Sequence, residues 1–203
     1  MKGRHRVMRS ILAAVSASII GLTGCGGGGA IGDPGLVGNP SGASGQRLAF
    51  AYFQRCVNPI FVQQLPNPNG GTANTCAAGG CHDSTTGTGG ALRIIGAAQT
   101  VDLANPGNTP AVIRATDMYK NFISAQGEVV IGSPAQSFLL NKPLVRNVLH
   151  GGGQIFANDQ DPNVKLVQYW ISNPAPQGQD EFSTATYGMF MPADPNLGAC
   201  KTN

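Results

Sequence analysis

Apolar residues recur at helical spacing in several stretches of the chain, and this pattern predicts a mainly α-helical protein. The first stretch covers residues 47–65, and Pro59 inside it is expected to kink the helix or to split it in two. Its apolar positions are Leu48, Phe50, Ala51, Phe53, Val57, Ile60 and Phe61. A loop rich in Gly, Pro and Asn follows over residues 66–74, so we predict a helix that leads into a long loop.

The clearest helical pattern covers residues 109–126. Thr109 suits the N-cap, Pro110 suits the first turn, and Gly127 suits the stop at the C-terminal end. The apolar face of this stretch is formed by Val112, Ala115, Met118, Tyr119, Phe122 and Ile123. We therefore predict one continuous helix here.

Two further helices are predicted in the second half of the chain. A short one opens at Ser133 and Pro134 and carries Phe138, Leu139 and Leu140. The last one begins with Asp161 as N-cap and ends before Asn173 and Pro174. Its apolar positions are Val164, Leu166, Val167, Tyr169, Trp170 and Ile171. The tail, residues 173–203, is predicted to be irregular, with its polar residues 177–183 at the surface.

The N-terminal residues have the pattern of an export signal. A basic start, with Lys2, Arg4, Arg6 and Arg9, precedes the apolar residues 11–22, a run too short to span a bilayer permanently. The run ends in Leu-Thr-Gly before Cys25, which resembles a bacterial lipobox. This predicts a lipoprotein signal peptide at residues 1–24 and a lipid on Cys25; the alternative is an ordinary signal or an uncleaved anchor with a chance cysteine. Gly26 is not the Asp that signals retention in the inner membrane, so we expect a lipid-anchored protein of the bacterial cell envelope, at the outer membrane.

The next residues predict a flexible tether, and the charge that remains excludes one class of partner. Residues 25–46, with four consecutive glycines, cannot bury enough surface to order themselves, so the folded domain is predicted at residues 47–203. Without its signal the chain keeps 9 basic residues against 10 acidic ones, a formal charge of −1. A nearly neutral surface without a basic cluster argues against nucleic acid as a partner.

Cys76, Cys81 and His82 are the candidate cofactor residues. Two thiols can add across the vinyl groups of a haem, and a histidine directly after the second thiol can bind its iron. The usual motif has two residues between the cysteines, and this chain has four. If both thiols carry a haem, Cys56 and Cys200 remain as one disulfide pair; otherwise two disulfides, Cys76–Cys81 and Cys56–Cys200, are equally compatible with the spacing in an exported chain.

A haem iron needs a second axial ligand or an open site, and the chain offers several candidates. His150, followed by three glycines, lies in a loop ahead of the last helix; its alternative role is a loop histidine hydrogen-bonded to backbone. Met189 or Met191, next to Pro192, are the alternative distal ligands. Met118 lies on an apolar helix face and is expected in the core.

These segments together resemble a c-type cytochrome domain. The resemblance rests on a Phe-rich first helix, a Cys…Gly-Cys-His segment, a Ser-x-Leu-Leu-x-Lys-Pro stretch, a His-Gly-Gly-Gly loop and a terminal Trp-Ile helix in that order. In this chain they are residues 50–61, 76–82, 137–143, 150–153 and 164–171. The resemblance covers about residues 48–172, and the tail lies outside it.

The resemblance implies a small cytochrome c-like helical domain with long Gly/Pro-rich loops and one covalent haem c. Cys76 and Cys81 would attach the haem and His82 would be the proximal ligand. His150 is the candidate for the distal ligand, with Met189 or Met191 as the alternatives. The expected function is outer-sphere electron transfer, without enzymatic chemistry, to other redox proteins that bind transiently; the oligomeric state stays open. Two other classes remain: a cofactor-free lipoprotein stapled by two disulfides, and a zinc site built from the same four residues, for which the adjacent Cys81 and His82 are awkward.

Overall fold

The described part of the protein is rich in helix and has little strand, as the sequence pattern predicts. A computed structural model describes residues 45–67, 70 and 72–203. The predicted signal peptide, the lipidated Cys25 and nearly all of the tether lie outside these residues. Within them, no helix is long and apolar enough to cross a bilayer.

The first helical segment is not split at Pro59, but a π-helical turn interrupts its regular α-helix just before the proline. Helix α1 (Phe50–Tyr52) passes into a π-helical turn (Phe53–Val57) and then into helix α2 (Asn58–Val62). In a regular α-helix the ring of Pro59 would clash with the carbonyl group four residues earlier, at Arg55. The wider π turn lies at that position, so the segment accommodates the proline by changing its hydrogen-bond pattern.

The predicted helix at residues 109–126 is two helices, so the prediction of one continuous helix was wrong. Helix α3 (Pro110–Arg114) is followed by helix α4 (Asp117–Gln126). Thr116 separates them because its backbone is extended and its hydroxyl accepts a hydrogen bond from the Tyr119 amide at 3.2 Å, so it caps a new helix. The predicted apolar face is wrong in part as well, since Val112 and Ile123 are exposed.

The last two helices agree with the predicted pattern. A 3₁₀ turn (Pro134–Gln136) leads into the short helix α5 (Phe138–Asn141). Helix α6 (Pro162–Ser172) begins after Asp161, whose carboxylate accepts a hydrogen bond from the Asn163 amide at 2.8 Å. The cap predicted from the sequence is therefore present.

Aromatic side chains join α6 to the first helical segment and to α4. The Trp170 ring lies 5.3 Å from the ring of Phe53 and 6.1 Å from that of Phe122, measured between centroids. The buried indole N–H donates a 3.0 Å hydrogen bond to the Ala49 carbonyl, so its one polar atom is satisfied. This contact fixes the last helix across the first one and leaves the long loop with the two cysteines on one side of the core.

The C-terminal tail is more ordered than predicted. A 3₁₀ turn (Thr184–Met189) precedes a two-stranded antiparallel ladder of β1 (Phe190–Met191) and β2 (Ala199–Cys200). Cys200 forms a disulfide with Cys56 of the first helical segment. Glu181, predicted at the surface, is buried, because its carboxylate accepts hydrogen bonds from the Arg114 guanidinium at 2.9 Å and the Tyr119 hydroxyl at 2.7 Å.

Candidate cofactor site

A cavity of about 580 Å³ lies between α2, α5 and the loops that carry the predicted cofactor residues. Its volume is in the range of pockets that hold organic ligands and cofactors. Cys76, Cys81, His82 and His150 all line it. The structure therefore brings together four residues that the sequence separates by up to 74 positions. Its apolar wall consists of Ile60, Phe61, Leu65, Leu92, Phe138, Leu139, Pro143, Leu149, Ile155, Phe156 and Val167.

Backbone hydrogen bonds hold residues 76–82 against the first helical segment. The Ala77 amide donates to the Phe61 carbonyl at 3.0 Å, and the His82 amide donates to the Cys76 carbonyl at 2.9 Å. On the other side, the Ile94 amide donates to the His82 carbonyl at 2.7 Å. The segment between the cysteines is thus a closed turn, with His82 fixed from both directions.

The His82 imidazole is held with one nitrogen on the backbone. Its Nδ1 lies 3.2 Å from the Leu92 carbonyl oxygen, which can only accept, so Nδ1 carries the proton and Nε2 keeps its lone pair. Burial lowers the pKa of His82; the Leu92 hydrogen bond opposes this, and the nearby His150, Lys142 and Arg93 add smaller lowering effects. The side chain is therefore neutral at pH 7, which is the form that binds a metal ion.

His150 has the same arrangement on a different loop. Its Nδ1 lies 2.7 Å from the Gly153 carbonyl oxygen, so its Nε2 is also left with a lone pair. The rings of His82 and His150 are nearly parallel, at 8°, and their centroids are 6.1 Å apart.

This ring spacing is a test of whether the two histidines fit an axial pair. A metal ion bound to one nitrogen of each imidazole, at the usual distance of about 2 Å, places the ring centroids about 6 Å apart. The observed separation meets that requirement, and backbone carbonyls fix the tautomer of each ring as they do for metal-binding histidines. The centroid separation, the parallel planes and the hydrogen-bonded Nδ1 atoms are thus compatible with one metal ion between the two rings.

Glycines allow both imidazoles their positions. A Cβ atom at Gly89 would lie 2.7 Å from Cε1 of His82 and equally close to the Cys81 carbonyl oxygen. At Gly152 a Cβ atom would lie 3.1 Å from Cε1 of His150. Each ring therefore packs directly against the backbone of a glycine, in space that the Cβ atom of any other residue would fill.

The two cysteines on the cavity wall carry free, partly buried thiols. Burial, with a smaller effect from Cys81, raises the pKa of the Cys76 thiol to about 11, so this group is protonated at pH 7. A thiol beside an apolar cavity can add to an alkene of a bound ligand. The predicted alternative disulfide between Cys76 and Cys81 is not formed in the structure.

The cavity also has a charged edge, which the sequence analysis did not assign to the site. Lys142 and Glu128 line it and form an ion pair at 3.4 Å, and the Lys142 ammonium lies 5.3 Å from the centre of the Phe138 ring. The lysine belongs to the Ser-x-Leu-Leu-x-Lys-Pro stretch, which is the signal that could have identified it. The cavity edge therefore presents an ion pair, and a carboxylate ligand would have to replace Glu128 as the partner of Lys142.

The other predicted ligands are elsewhere. Met189 is buried and Met191 is 65% exposed, and neither lines the cavity, because both belong to the tail that is bound to the first helical segment. Met118 is in the core, where its helical position places it. Among the described residues, no group of three or more His, Cys, Asp or Glu side chains converges closely enough to hold a metal ion by itself.

The comparisons with known proteins add no assignment. No protein-family model, curated protein or solved structure matches this chain.

Proposed function

We propose that this protein is a c-type cytochrome that carries electrons through one covalently bound haem. The observation that carries the proposal is the pair of parallel imidazoles of His82 and His150, with centroids 6.1 Å apart in one cavity. Two free thiols on the same wall supply the groups for covalent attachment. The cytochrome c-like architecture is part of the same proposal.

Each residue of the cavity has a role in it. The haem supplies a one-electron couple at its iron. In this proposal His82 and His150 would hold the iron through Nε2, Cys76 and Cys81 would attach the haem through their sulfurs, and Lys142, now paired with Glu128, would exchange that partner for a carboxylate of the ligand. The apolar wall excludes water, and two imidazoles favour ferric iron more than an imidazole with a thioether does, so we expect a lower potential than with Met189 or Met191 as ligand.

The cellular setting of the proposal comes from the N-terminal sequence. A lipid on Cys25 would anchor the protein in the bacterial cell envelope, at the outer membrane, and residues 26–46 would give the domain reach from the surface. The partners would be other redox proteins that bind through small, transient interfaces.

The test is the pyridine haemochrome spectrum of the whole chain, expressed with haem-maturation genes and then extracted with acid–acetone. We expect a haem c band that resists extraction, and we expect Cys81→Ser and His82→Ala to abolish it. His150→Ala should keep the covalent haem in this assay but change the absorption spectrum of the native protein, which reports its iron ligands. Met191→Leu, at an exposed position outside the cavity, is the matched control and should leave both spectra unchanged.

A colourless protein that is folded and lipidated under these conditions would contradict the proposal. The alternative hypothesis would then be a cofactor-free lipoprotein. Thiol titration would show whether its Cys76 and Cys81 form a second disulfide in solution. A ratio of zinc to iron above one in the purified protein would also contradict the haem assignment.

A further inference from the structure

The two histidines of the cavity are held with unequal firmness. His82 is bonded both within its own turn, to Cys76, and to a second segment, since its carbonyl accepts from Ile94 and its Nδ1 donates to Leu92, ten residues away. His150 is bonded within its own loop: its Nδ1 and its carbonyl group both pair with Gly153. The loop of residues 149–153 is therefore the part of the site that can move without disturbing the rest.

The exposure of this loop agrees with that difference. Leu149, directly before His150, is 90% exposed although it also contributes to the cavity lining. Gly151 and Gly152 are exposed as well. Few buried contacts and solvent-exposed hydrogen bonds are the features of segments that open locally.

The chain that leads into the loop is strained. Val145 has a φ of 52° and Asn147 a φ of 54°, both in the left-handed region. Asn adopts this conformation readily, whereas for a β-branched residue such as Val it is an outlier. Such outliers persist where the surrounding structure holds them, and they are concentrated at sites that switch.

Arg146 lies between Val145 and Asn147 in the sequence, and its ion pair with Asp159 restrains the strained backbone. Asp159 also accepts a 2.6 Å hydrogen bond from Gln168 of helix α6. The ion pair is partly exposed, with 32% and 47% of the two side chains accessible, so solvent and salt weaken it. The strain at Val145 and the Arg146–Asp159 pair therefore act in opposite directions on the loop that carries His150.

We propose that His150 is a displaceable ligand and that its side of the cavity is a binding site for a small neutral molecule that binds ferrous iron. This inference rests on the proposed function. Opening of the loop would withdraw Nε2 of His150 from the cavity, and the lone pair of the incoming molecule would take its place as the donor to the iron. No electron is transferred in the exchange. Val145 provides the driving strain and Arg146 with Asp159 provides the restraint.

The test is the rate of carbon monoxide binding to the haem-loaded whole chain, reduced with dithionite and followed by absorbance. In the wild type we expect binding whose rate becomes independent of carbon monoxide concentration, because release of His150 limits it. Val145→Asn should slow binding about fivefold or more, since Asn relieves the left-handed strain. The matched control, Val145→Ile, keeps a β-branched residue and should bind at the wild-type rate.

A second variant tests the restraint from outside the cavity. Asp159→Asn should raise the rate of carbon monoxide binding by up to about fivefold. Added salt should also raise this rate in the wild type, because it weakens the ion pair. Amide hydrogen exchange of residues 149–153 in the same samples should slow in Val145→Asn and accelerate in Asp159→Asn, which reports loop opening without the ligand.

The outcomes separate this inference from the proposed function. Absence of covalent haem would overturn both. A wild type that binds no carbon monoxide, while His150→Ala binds it, would overturn the inference and leave the cytochrome proposal intact. Equal rates for Val145→Asn, Val145→Ile and the wild type would also overturn it.

Discussion

Gly89 is the position where a single methyl group should do most harm to the site. In Gly89→Ala the new Cβ would lie 2.7 Å from the Cys81 carbonyl oxygen, 2.7 Å from Cε1 of His82 and 2.8 Å from Nδ1 of His82. Two of these atoms belong to a ring that is already hydrogen-bonded, and the third is a backbone oxygen. The oxygen cannot retreat alone, since the Gly89 amide binds it at 2.7 Å.

The magnitude follows from these contacts. Overpacking of this kind destabilises by about 1–3 kcal/mol, and tilting the His82 ring away would break its hydrogen bond to Leu92, adding about 1 kcal/mol. We therefore expect Gly89→Ala to lower the free energy of unfolding by about 2–4 kcal/mol and to reduce the haem content of the purified protein. The measurements are urea unfolding by circular dichroism and the ratio of haem to protein absorbance.

Two other glycines serve as control positions for this prediction. A Cβ at Gly152 would lie 3.1 Å from His150, whose loop can yield, so Gly152→Ala should cost less than about 1 kcal/mol. At Gly151 a Cβ meets nothing within 4 Å, and Gly151→Ala should be neutral or slightly stabilising. If Gly89→Ala were as stable and as pigmented as Gly151→Ala, the packing argument for His82 would be refuted.

Three further predictions concern the tail. Tyr119→Phe should lower the free energy of unfolding by about 2 kcal/mol, because it removes a hydrogen bond to the buried carboxylate of Glu181; equal denaturant midpoints would contradict this. Burial raises the pKa of Glu181, but hydrogen bonds from Arg114, its own backbone and Tyr119 outweigh that effect and leave the pKa below its ordinary value of 4.5. Its contribution to stability is thus complete above pH 4.5 and is lost as the pH falls through the lowered pKa; Glu181→Gln should flatten this dependence in unfolding experiments. The double change Cys56→Ala with Cys200→Ala opens a covalent link across 144 positions and should cost about 4–5 kcal/mol by the chain-entropy argument, measured by calorimetry against the oxidised wild type.

The sequence predicted those parts of the fold that local chemistry determines. Helix α6 has a carboxylate cap at Asp161 and an Asn-Pro stop after it, and both act within one turn of the helix end. The long stretch at residues 109–126 was misread because Thr116 can either continue a helix or cap a new one. Arg114 and Tyr119, on the two sides of Thr116, both bind Glu181, a contact that no local pattern contains.

The same division applies to the candidate site. The order of segments along the chain, compared with a known class, predicted that His82 and His150 would share a site. It did not predict which carbonyl groups would hold them, because the contacts to Leu92 and Gly153 need the folded loops. Lys142 was visible in the sequence but had no assigned role until the fold placed it at the cavity edge.

If the chain is exported and binds a haem as we propose, the disulfide between Cys56 and Cys200 also requires an order of events during export. In a chain that leaves the cytoplasm with its N-terminal end first, Cys56 meets oxidising surroundings together with Cys76 and Cys81, long before its partner 144 positions later. A disulfide between Cys56 and either Cys76 or Cys81 would then form first, and this is not the native disulfide. Early occupation of Cys76 and Cys81 by a cofactor removes these competitors, so maturation of the cavity would also protect the correct closure of the chain.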